Sequence, residues 1–159
     1  MDIYNHNPLT VQRAKDIFPK LDVSGFQVTS PLDVGYNCFA WAAGDPENVW
    51  QPDPNAKYYV WFTDSRAETL ENFIANYAAV GFTEKTDGSL EEGFEKIALY
   101  VDKNGIPQHA ARQKGNGAWT SKLGILEDIE HTSLECLECE TYGSVQVILR
   151  RPTNGSKKA

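Results

Sequence analysis

The chain has 159 residues, about the size of one ordinary domain, and at 41% hydrophobic it can bury a core. Its formal charge of −7 argues against a nucleic-acid backbone binder and against a polybasic membrane anchor. The opening MDIYNHNPLT has neither the basic nor the apolar region of a signal peptide. No uncharged run approaches the roughly 20 residues of a membrane helix, and three Cys make no disulfide scaffold. The expected setting is therefore cytoplasmic and reduced, with another secretion route left open.

Gly and Pro are spread evenly, which points to a single domain over residues 1–152 and a polar, basic tail over 153–159. Thr10 reads as an N-cap, with Val11, Ala14 and Phe18 at helical spacing before Pro19. His6 lies upstream and reads as a solvated surface residue.

The segment Tyr36-Asn37-Cys38-Phe39-Ala40-Trp41-Ala42-Ala43-Gly44 predicts a short buried helix with Asn37 as N-cap and Gly44 just past the end. Cys38 then sits in the first turn. Free backbone N–H groups and the helix dipole favour a thiolate there, and the same N–H groups suit a developing oxyanion. Tyr36 and Asn37, adjacent to Cys38, are candidates to complete an oxyanion hole. The plain reading of Cys38 is a buried structural thiol.

The loop 44–56 holds three Pro and Trp50, a candidate substrate wall. Lys57–Phe62 is aromatic and β-branched and predicts a strand. Ser65 and Glu68 form an S-x-x-E capping box before Leu70, Phe73, Ile74 and Tyr77, a helical face closed by Gly81.

Strands are predicted over Lys96–Val101, Pro107–Lys114, Ala118–Leu123 and Gly143–Arg150, with Gly115-Asn116-Gly117 as a hairpin turn. If Lys114 pairs with Ala118, then Ala111 faces Ser121, and alternation puts His109, Ala111 and Ser121 on one side. His109, at a strand start, is the candidate base for Cys38. Trp119, on the second arm, is a second candidate wall.

Between Glu127 and Glu140 there are six acidic residues and no Lys or Arg, a solvated surface or a docking face for a partner protein. His131 reads there as a capping or surface residue. Asp128 is the first candidate to orient the His109 ring, because a carboxylate also stabilises an imidazolium; Ser121 is the second. Cys136-Leu137-Glu138-Cys139 lacks a fourth ligand for zinc, and its flanking carboxylates disfavour a thiolate, so neither metal nor cofactor is expected.

NCFAWAAG on a helix and PQHAARQ heading a hairpin resemble small papain-like cysteine peptidases and amidases, in the style of the NlpC/P60 and CHAP groups. NCFAWA, HAARQ and WTSKLG also look like an uncharacterised bacterial family. The resemblance implies an α+β papain-like fold, with the Cys-bearing helix packed on an antiparallel sheet. It implies amide or peptide hydrolysis through a thioester, with Cys38 as nucleophile, His109 as base and a third polar residue. The alternative is a non-catalytic interaction module docking through the acidic stretch.

Overall fold

The computed structural model describes residues 16, 18–20, 26–29, 35–53, 59–123 and 128–153. The helix expected from Thr10 and the surface role expected for His6 lie outside them.

In chain order the elements are strand β1 (Phe26–Val28), helix α1 (Cys38–Ala42), helix α2 (Leu70–Ala78) and strands β2 (Glu84–Thr86) and β3 (Phe94–Val101). Strands β4 (Pro107–Gln113), β5 (Trp119–Lys122) and β6 (Asp128–His131) follow, then a 3₁₀ turn (Glu135–Leu137) and strand β7 (Ser144–Pro152). The seven strands form one sheet in the order β1-β6-β5-β4-β3-β7-β2, every pair antiparallel.

This corrects the expected class. The chain is mainly β, and the papain-like α+β architecture is not what it adopts. The reason is the brevity of the helical signals. Asn37 caps α1 as its sequence predicts, but Gly44 takes a φ of +87° and ends the helix after five residues. The Ser65/Glu68 box is not the start of α2. Ser65 accepts from the Ala67 N–H and from Asn72 Nδ2, holding 65–68 as a loop, and the cap is Thr69, whose hydroxyl accepts from the Asn72 N–H. Within the aromatic run, Val60 makes only an isolated bridge to Trp50.

Two apolar clusters sandwich the sheet. Ile97 and Leu99 of β3, Ala110 of β4 and Leu149 of β7 share one with Cys38, Phe39, Phe73 and Tyr77 from the helices. Ala98, Tyr100, Ala111, Trp119 and Ile129 share the other with Leu134 and Leu137 around the 3₁₀ turn. This is the period-2 alternation of a sheet buried on both faces. Only part of the acidic stretch is a solvated face: Glu135 and Glu140 are exposed. Asp128, Ile129 and His131 are buried in β6, and the apolar residues around the 3₁₀ turn belong to the core.

Candidate active site

The N-terminus of α1 is built by Asn37. Its Oδ1 accepts from the Ala40 N–H, and from the Trp50 N–H, while its Nδ2 donates to the Trp50 carbonyl. The side chain therefore caps the helix and ties down the following loop. Tyr36 is also engaged, donating its hydroxyl to Asp128 Oδ2 at 2.8 Å.

α1 lies across β4 and β5. There the Cys38 sulfur is buried and meets the backbone N–H groups of Ala110, Phe39 and Cys38 itself. The Lys122 ammonium, which also sits 4.6 Å from the Tyr36 ring centre, adds a favourable charge. Burial outweighs all of these and pushes the thiol up to about 12. The resting group is a thiol, contrary to the thiolate that a helix start alone predicts: the dipole of a five-residue helix cannot offset loss of water.

Across the sheet, β4 and β5 are in register only at Arg112–Thr120 and Gln113–Trp119, next to the turn. Nearer the strand start, side chains bridge them instead. His109 Nε2 lies 2.9 Å from Ser121 Oγ, and Ser121 Oγ lies 2.7 Å from His131 Nε2. His131 Nδ1 in turn lies 2.9 Å from the Ser133 carbonyl oxygen. All three side chains are fully buried. Tyr142 stacks flat on the His109 ring at 4.2 Å, and Tyr100 meets the ring on edge at 5.2 Å.

Both imidazoles are held neutral. Burial, and then the neighbouring His131, lowers the His109 pKa well below the usual histidine range. Burial lowers His131 to about 4, against the opposing pull of the Ser133 carbonyl and Glu130.

Neutrality fixes every proton in the chain. A carbonyl oxygen only accepts, so His131 carries its proton on Nδ1 and leaves Nε2 as a lone pair. Ser121 must then donate its one hydroxyl proton to His131 and accept from His109. His109 therefore carries its proton on Nε2, and Nδ1 is a bare lone pair. That Nδ1 is buried and has no hydrogen-bond partner.

Of the residues singled out by sequence, the structure brings His109 and Ser121 together. It places Asp128 on Tyr36. No hydrogen bond joins Sγ to the imidazole, and the His109 ring packs within the cluster opposite Cys38. The β4 backbone separates them, and the N–H of Ala110, the residue that follows His109, lies near the sulfur. Strict alternation breaks at this point, because the β3–β4 register shifts between Tyr100 and Val101 and leaves Gln108 as an extra residue. Bulges of this kind re-aim neighbouring side chains.

A cleft of about 600 Å³ opens beside Cys38, bounded by Tyr36 and Asn37 on one side and Pro107 and Gln108 on the other. Trp50 and Trp119 do not line it. Trp50 is buried with its Nε1 on Asp45 and its ring against Tyr77 and Phe62, and Trp119 lies in the opposite cluster. Their amphipathic bulk made them candidates, and core packing claims them.

His131 and Tyr142 were missed as site residues. The signal for His131 was present: in Asp128-Ile129-Glu130-His131 it stands two residues from a core isoleucine and so shares its face. Reading the segment by charge hid that period.

Among the described residues no group of three His, Cys, Asp or Glu side chains is placed to hold a metal. Cys136 donates to the Ser133 carbonyl, and Cys139 accepts from the Tyr142 N–H. No described helix is long and apolar enough to cross a membrane.

The model of a family described as a domain of unknown function, DUF7689, matches residues 27–150, and the chain belongs to that family. The matched span runs from β1 to β7 and contains Cys38, His109, Ser121 and His131. No curated protein and no solved structure matches the chain.

Proposed function

We propose that this domain is a cysteine hydrolase that cleaves an amide or peptide bond through a thioester. One observation carries the reading: the Ser133–His131–Ser121–His109 chain leaves a buried imidazole nitrogen unprotonated and without a partner, on the residue before Ala110, whose backbone N–H lies near the Cys38 sulfur. A structural histidine in a core normally satisfies both nitrogens. A general base must leave one open.

In the reaction, His109, whose ring stands on the opposite face of β4, turns at the Gln108 bulge to bring Nδ1 to the helix side, and Cys38 Sγ attacks the carbonyl carbon while its proton passes to that nitrogen. An S–C bond forms, and the carbonyl electron pair moves onto oxygen. The tetrahedral species collapses, the C–N bond breaks, and Nδ1 returns the proton to the leaving amine. Water, deprotonated by the same nitrogen, then attacks the thioester and releases the acid and the thiol. Ser121 is a positioning residue, since it fixes the tautomer through Nε2. Thiol and imidazole both rest neutral, so the proton moves with the attack rather than before it.

The test is mass spectrometry of the protein incubated with a peptidyl vinyl sulfone. The thiol adds across the double bond, forming S–C and placing its proton on the neighbouring carbon. Cys38 is expected to carry the adduct ahead of Cys136 and Cys139. Ser121→Ala is expected to slow the labelling by about tenfold or more while Cys139 alkylation by iodoacetamide is unchanged. An adduct on Cys139 with Cys38 untouched overturns the proposal.

A further inference from the structure

The cleft beside Cys38 has a chemistry of its own. Its walls are largely apolar: Phe39 and Phe73 from the helices, Val49 and Pro52 from the loop after α1, and Ile106 and Pro107 at the head of β4. Polar lining comes from the neutral amides Asn37, Gln51 and Gln108 and from the tyrosines. Among the described lining residues the one charged side chain is Glu68, which is exposed and so stands towards solvent. A volume of about 600 Å³ suits one or two residues of a peptide.

Resting on the hydrolase reading above, we infer that this cleft selects an amide whose acyl side is bulky, apolar and uncharged, and that it discriminates against an acidic one. Two costs act on an acidic group. Its carboxylate would leave water for largely apolar walls, and no described lining residue is a cation to pair it; Lys122, over the Tyr36 ring, is fully buried and outside that lining. It would also approach Glu68 in a protein of net charge −7. An aromatic or branched side chain instead gains by leaving water against Phe39, Phe73 and Ile106.

The experiment compares four peptidyl vinyl sulfones that differ only in the residue beside the warhead: phenylalanine, leucine, lysine and glutamate. The rate of Cys38 labelling is read by mass spectrometry. The phenylalanine and leucine probes are expected to react at least about tenfold faster than the glutamate probe, the size of discrimination an apolar pocket supplies. Glu68→Gln, a substitution at an exposed loop position, is expected to narrow that gap by speeding the glutamate probe alone. Equal rates for phenylalanine and glutamate, with Cys38 still the labelled residue, overturn this selectivity and leave the hydrolase reading standing. Failure of all four probes to label Cys38 overturns both.

Discussion

Ser121 has one proton to give, and its placement decides what His109 can do. Serine is a weaker orienter than a carboxylate, yet here it is the right one, because it relays the constraint set by the Ser133 carbonyl through His131. Asp128, the stronger candidate on chemical grounds, would have raised the imidazole pKa and favoured an imidazolium. The structure holds Asp128 against the Tyr36 hydroxyl instead, and the imidazole stays neutral. The same burial makes a stability prediction. His109 and His131 both have folded pKa values below that of an unfolded histidine near 6.5, so the unfolded chain binds more protons as pH falls. Stability is fully present above about pH 6.5 and drains away towards pH 4, the folded value of His131. A shift of that size corresponds to about 3 kcal/mol for His131 alone. Urea denaturation between pH 7 and pH 4.5 is expected to show this loss. His131→Gln, less stable at pH 7, is expected to show a shallower dependence on pH; an unchanged dependence would mean His131 is not neutral in the fold.

At the scale of elements, the hairpin was legible and its consequences were readable from register alone. Gly115-Asn116-Gly117 between two alternating runs places Lys114 against Ala118, and the Lys114 N–H does donate to the Ala118 carbonyl at 2.7 Å. Less legible was β6, since charge masked its period, and least legible was the bulge at Gln108, which depends on pairing with β3. The turn between Cys139 and Gly143 carries a similar hidden constraint. Gly143 has a φ of +76°, and a Cβ there would lie 1.8 Å from the Val101 carbonyl oxygen. That close approach of β7 to β3 seats Tyr142 on the His109 ring. Gly143→Ala is therefore expected to cost more than about 3 kcal/mol in thermal or urea unfolding, because backbone must move. Gly93→Ala is the control: its φ is +85° but nothing lies within 4 Å, so only the left-handed strain of about 1 kcal/mol applies. Equal costs at the two positions would contradict the close approach.

For the whole molecule, the sequence indicated where the chemistry-bearing residues lie but not the architecture around them. Cys38 on a capped helix start and His109 on a strand are local facts, written in Asn37 and in the alternation after Pro107. Fold class is a global one. It turned on how far two helical signals extend and on two short strands, β1 and β2, whose pairing partners lie far away in the chain. The resulting sheet carries α1 on one face and the histidine chain on the other, with β4 and β5 between them. The central claim is that the histidine chain leaves His109 Nδ1 as a free base. Nitrogen-15 NMR of the histidine rings at neutral pH tests it most directly. The account predicts His109 protonated on Nε2 with Nδ1 bare, and His131 in the opposite tautomer with its proton on Nδ1. A proton found on His109 Nδ1 would contradict it, because the chain of donors would then run the other way and leave Cys38 without a base.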